Sequence, residues 1–139
     1  MSALKPLVLA AILGGAPAVA VAWDYELLRG LDLYQARDGG VSLSLVCDPN
    51  SVYGGTTQTG LLVNLGGNVD ASLPATFRFP DGIAVQVELV HGRIGKADTE
   101  AGSWAALMEG LRAHSTVTMD VAGRTRDLDL GQPMMFTCT

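Results

Sequence analysis

Lysine is nearly missing from this chain: Lys5 and Lys96 are the only two in 139 residues. Nine basic residues stand against fourteen acidic ones, for a net charge of −5. Phosphate backbones and anionic bilayer surfaces are held by clustered cations, so this balance excludes nucleic acid and an anionic membrane surface as partners. The densest basic pair, Arg124 and Arg126, makes no patch. Histidine is also scarce, with only His91 and His114, which leaves a Ser-His-Asp set two candidates at most. There is no G-x-S-x-G elbow and no C-x-x-C pair. Gly92-Arg93-Ile94-Gly95-Lys96 ends as a phosphate loop ends, yet Val90 stands where the first glycine belongs and Ala97 where a magnesium-binding hydroxyl would be. Asp127 and Asp129 share one face of a strand but fall short of the oxygens a calcium site needs. No cofactor and no metal are implied.

Long apolar runs are absent as well. The longest apolar stretch, Leu7 to Ala22, is broken by Gly14, Gly15 and Pro17 and is shorter than the roughly 20 residues a bilayer span requires. What it contains instead is an ordered series. Lys5 supplies a positive start, Leu7 to Leu13 an apolar segment, and Ala18-Val19-Ala20-Val21-Ala22 an alternation of small residues before Trp23. That series predicts a cleavable signal peptide over residues 1–22, cut after Ala22 or, as second choice, after Ala20. The remainder, 23–139, is sized for a single β-rich domain in the periplasm or the medium, with no membrane segment once the leader is gone. Only Lys5 leaves with the leader, so nine basic residues become eight and −5 becomes −6.

Cys47 and Cys138 are the only cysteines. In an exported chain an even pair predicts one disulfide. Alternation supports it. Val41, Leu43, Leu45 and Cys47 fall on one face of a strand, and Met134, Phe136 and Cys138 on one face of another.

Period-2 alternation between turn residues runs through the rest. Asp38-Gly39-Gly40, Gly66-Gly67-Asn68, Pro80-Asp81-Gly82 and Ala122-Gly123 all carry hairpin chemistry. Phe77 and Phe79 precede Pro80, and Ile83, Val85, Val87 and Leu89 follow Gly82, as inward residues. One helix is predicted over 103–113, capped by Ser103, with Trp104, Leu107, Met108 and Leu111 at helical spacing. Asn50–Gly60 and Gly92–Gly102 read as polar loops. The sum is an all-β, mainly antiparallel domain: a β-sandwich or partly open barrel of about eight short strands with one short helix.

Functional candidates are few. Tyr53, followed by Gly54 and Gly55, is the best surface aromatic for a contact, and Arg124 and Arg126, on the solvated face of a strand, are the other candidates for touching a partner. A small exported hydrolase would use His91 with Asp98 or Glu100 from the following loop. His114 is accounted for by the favourable place of a cation at a helix C-terminus. The alternation predicts no large apolar patch on the outer sheet face.

The order of features carries a resemblance. A tryptophan start, a strand ending in cysteine (LSLVC), a D-G hairpin, a helix with Trp104, Leu107 and Leu111, a V-x-M-x-V strand, a G-R turn and a closing cysteine follow one another. This resembles the small exported β-sandwich proteins of the invasion-associated locus B type and related secretion-system accessory proteins. The resemblance implies a non-enzymatic periplasmic or secreted protein whose partner is another protein or an envelope component. It assigns no functional residue.

Overall fold

The computed structural model describes Gly14, residues 23–67 and residues 72–138. The apolar segment of the predicted leader and both predicted cleavage positions lie outside the described residues, as does Asn68 of the second glycine turn.

Three hairpins share one device. Strand β1 (Asp24–Leu28) turns through Arg29-Gly30 into β2 (Leu31–Asp38), and β8 (Thr116–Val121) turns through Ala122-Gly123 into β9 (Arg124–Asp129). His91-Gly92 joins β6 (Ala84–Val90) to the three-residue β7 (Arg93–Gly95). At each corner both residues have positive φ, from 49° at His91 to 82° at Gly30, the geometry whose twist matches two antiparallel strands. Gly39 supplies the same freedom between β2 and β3 (Val41–Cys47). Pro80-Asp81-Gly82 turns β5 (Ser72–Arg78) into β6, as its residues predict.

The strands form one sheet in the order β1-β2-β3-β4-β7-β6-β5-β8-β9, antiparallel at every junction, with β4 spanning Gly60–Asn64. The all-β expectation holds, with nine strands rather than eight and one sheet rather than the two of a sandwich. The sheet curls, and β9 returns against β2 and β3, where the Asp129 amide donates to the Asp38 carboxylate at 3.1 Å. No ladder joins β9 to them, so the ring stays open. Alternate residues of β3, β4, β5, β6 and β8 fill a single core with Trp104, Leu107, Met108 and Leu111 of the helix.

Several local expectations need correction. Gly66-Gly67 does not make a hairpin: β4 pairs with β3 and β7, while β5 pairs with β6 and β8. Gly92–Gly102 is not a loose loop, because it contains β7, a 3-10 turn over Lys96–Asp98 and the start of α1 (Ala101–Ala113). Helix α1 is capped by Glu100, not Ser103. The Glu100 carboxylate accepts the Gly102 and Ser103 amides, and the Ser103 hydroxyl donates to it at 2.8 Å. Those donors, Ser103's hydroxyl first, hold the Glu100 carboxyl below its usual range. Ile83 is exposed, because the Asp81 carboxylate takes its amide and the strand starts one residue later. Met134–Cys138 is irregular chain, not a strand.

Candidate interaction surface

The predicted disulfide is present: Cys47 and Cys138 are joined, with Cα atoms 5.2 Å apart and a sequence separation of 91. It ties the end of β3 to the C-terminal tail, and an aromatic cluster continues the junction. Phe136 meets Trp23 edge-on at 5.1 Å and Tyr34 at the same distance, and Tyr34 lies 5.2 Å from Tyr25. Below the rings, Asp32 accepts hydroxyl hydrogen bonds from Tyr25 and Thr137, each at 2.6 Å. Tyr25 comes from β1 and Thr137 from the tail, so one carboxylate latches both to β2.

Those two hydroxyls, Thr137's foremost, lower the Asp32 pKa, and the same bond raises that of Tyr25. A carboxyl depressed on folding contributes stability that is fully present above its unfolded value, about 3.9, and is lost as pH falls through the folded value. Acidification below pH 4 should therefore lower amide protection in β1 before it does so in the central strands. Hydrogen-exchange protection factors read this directly, and Asp32→Asn should remove the acid step while weakening the latch at neutral pH.

Strand β1 is exposed at all five positions, and among the described residues nothing hydrogen-bonds to its outer edge. Asp24 and Glu26 alternate with Tyr25 and Leu27, and Leu28 falls on the face of the two acids. The loop after β3 folds onto the β1–β2 corner. Val52 sits against Gly30, and the Tyr53 hydroxyl donates to the Arg29 carbonyl at 2.8 Å. The buried Asp48 shapes this loop, its two carboxylate oxygens accepting the Val52 and Gln58 amides. At the loop's far end the Arg93 guanidinium covers Gly60 and donates to the Gln58 carbonyl. As a result Tyr25, Leu27, Leu28, Val52 and Tyr53, five of the nine exposed large hydrophobic residues among those described, gather at one end of the sheet. The apolar surface lies at an edge rather than on the outer face.

The residues expected from sequence to make contacts or do chemistry do not gather in one place. Tyr53 belongs to this surface and is 54% exposed. Arg124 and Arg126 do not join it. They lie in register with Val121 and Met119, in phase with the buried Leu128, and so emerge on the core-facing side of β9 at the open seam. Arg126 lines a shallow depression there with Asp38, Gly40 and Val41, at the opposite end of β3 from Tyr53. His91 is an exposed hairpin corner, a left-handed position that histidine accepts more readily than most residues. No hydrogen bond among the described residues joins it to Asp98 or Glu100, and Glu100 is occupied by the helix cap. His114 follows α1, stacked on Phe79 and 3.2 Å from the Asp81 carboxylate.

Tyr53, expected at the surface, is exposed there; the free edge of β1 and the loop-shaping role of Asp48 were not anticipated from the sequence. The short run D-Y-E-L-L, with acids at 24 and 26, was the available signal for an edge strand. For Asp48 the signal was an aspartate directly after a strand and before Pro49, a residue type and place that favour side-chain capture of loop amides. Among the described residues no helix is long and apolar enough to cross a membrane. Comparison of the chain with protein-family models, with curated proteins and with solved structures finds no match.

Proposed function

We propose that this is an exported, non-enzymatic accessory or binding protein of the periplasm or medium, whose partner is another protein of the envelope. The partner would add an extended segment to the free edge of β1 and bury its apolar side chains against Leu27, Leu28, Val52 and Tyr53. The observation that carries this reading is the coincidence of an unpaired strand edge with most of the exposed apolar side chains. Strand addition takes affinity from main-chain hydrogen bonds and specificity from alternate side chains. The acids at 24 and 26 favour a partner strand with basic residues opposite them, because opposite charges across a strand pair attract and like charges repel. They also blunt self-pairing of the edge, a common safeguard of sheet proteins. The disulfide, the predicted leader and the resemblance to exported accessory proteins agree with this assignment.

Photo-crosslinking in intact cells tests it. A benzoylphenylalanine at Leu27 and another at Tyr53 should yield adducts with the same partner, and one at the exposed Gln86 of β6 should yield none. Absence of adducts at both sites, or equal labelling at all three, would overturn the proposal.

A further inference from the structure

The register of β1 with β2 fixes which backbone groups β1 leaves free. Facing residues of an antiparallel pair alternate between those that exchange both backbone hydrogen bonds and those that exchange none. The two-residue turn Arg29-Gly30 is closed by the pair Leu28–Leu31, which is of the first kind. Counting back by twos, Glu26 and Asp24 also spend their N–H and C=O groups on β2, opposite Leu33 and Gln35. Tyr25 and Leu27 turn theirs to the open edge.

That phase decides what a partner meets. A segment added antiparallel, as at every junction of this sheet, hydrogen-bonds to the backbone of Tyr25 and Leu27. It faces Asp24 and Glu26 across non-hydrogen-bonded positions, where the Cα atoms stand about 4.5 Å apart rather than about 5.5 Å and side chains are closer. The two acids thus occupy the sites at which charge is read most strongly. Neither carboxylate has an ion pair among the described residues. Arg37, the cation on that face of β2, donates instead to the Gln35 side-chain oxygen at 2.9 Å. On the opposite face Tyr25 and Leu27 are 53% and 65% exposed, so apolar surface lies there uncovered.

On the strand-addition reading, on which this rests, we infer that the captured segment is a cationic amphipathic strand. It carries lysine or arginine at two alternate positions, opposite Asp24 and Glu26, and apolar side chains opposite Tyr25 and Leu27. Unlike charges attract across such pairs and like charges repel, while the intervening residues lose water against the tyrosine and the leucine.

The capped hexapeptide Thr-Val-Lys-Val-Lys-Thr, titrated into the oxidised protein and followed by NMR and amide exchange, tests it. This peptide should bind saturably and protect the Tyr25 and Leu27 amides. Its counterpart with glutamate for both lysines should bind at least about tenfold more weakly. N-methylation of both valines keeps the charges, removes the donors aimed at the edge, and should abolish protection. Glu26→Lys, at an exposed position, should erase the preference for the lysine peptide. Equal affinity for the two charged peptides, with both protecting Tyr25 and Leu27, overturns the cationic assignment and leaves strand addition standing. An undiminished preference in Glu26→Lys does the same. Binding of the N-methylated peptide as tight as its parent, or no change at either amide with millimolar lysine peptide, overturns strand addition and the assignment together.

Discussion

Reduction of the Cys47–Cys138 bridge should lower the melting temperature by roughly 15–20 °C, a prediction that follows from loop length. The bond spans 91 residues, and removing such a cross-link from the unfolded chain costs about 4–5 kcal/mol in the chain-entropy treatment. For a domain of this size one kcal/mol moves the midpoint by about 4 °C. Reduction leaves both sulfurs packed where they are, so it isolates the cross-link. Cys47→Ser is more severe, because Cys47 is fully buried and the serine hydroxyl enters apolar surroundings as well. Calorimetry with and without reductant, followed by the Cys47→Ser protein, separates the two costs. A shift of only a few degrees on reduction would mean that the aromatic junction of Trp23, Tyr34 and Phe136 holds the tail without covalent help.

Gly110→Ala should be the second large effect, with a sign opposite to helix propensity. In the interior of a helix, alanine is normally better than glycine by about 1 kcal/mol. At this position a Cβ would lie 2.2 Å from Cε2 of Phe79, far inside any real contact. Phe79 is buried, and its ring is stacked on His114 at 5.6 Å, so it has little room to retreat. Overpacking costs typically about 1–3 kcal/mol and more where neighbours cannot yield, so the clash wins and the net loss should be about 2 kcal/mol. Denaturant melts of Gly110→Ala measure it. A second substitution, Phe79→Leu, should recover part of the loss, because the two changes share one contact and cannot be additive. Stabilisation by Gly110→Ala alone would contradict the close approach of α1 to the β5–β6 corner.

The sequence announced the features that arise between near neighbours. Pro80-Asp81-Gly82 and Ala122-Gly123 each demand a backbone that few other residues accept, and the structure makes both hairpins. The disulfide was legible because strand alternation placed Cys47 inward and composition left it one possible partner. Pairing between distant segments left no comparable mark. Gly66-Gly67 has the same local chemistry as a hairpin turn, yet β4 finds β7 some thirty residues later, since register is decided by which faces bury together. The short β7 and its 3-10 turn hid among glycine and charged residues, where alternation has too few positions to register. Glu100 was passed over as a cap because serine at 103 fits the common preference better, although the longer carboxylate reaches two amides at once. Within the candidate surface, Tyr53 was visible by type and by the two glycines that follow it. The edge status of β1 depends on what fails to pair with it, which a single strand cannot reveal about itself.

The covalent link between β3 and the tail also decides how the molecule bears load. If the oxidised chain is pulled apart at Trp23 and Cys138, tension travels through β1, β2 and β3 and then crosses directly from sulfur to sulfur. Only the stretch from Trp23 to Cys47 can pay out, about 80 Å at full extension. Every strand from β4 to β9, and the helix among them, lies outside the force path. A partner that grips the outermost strand can therefore tug on this protein without unravelling most of it.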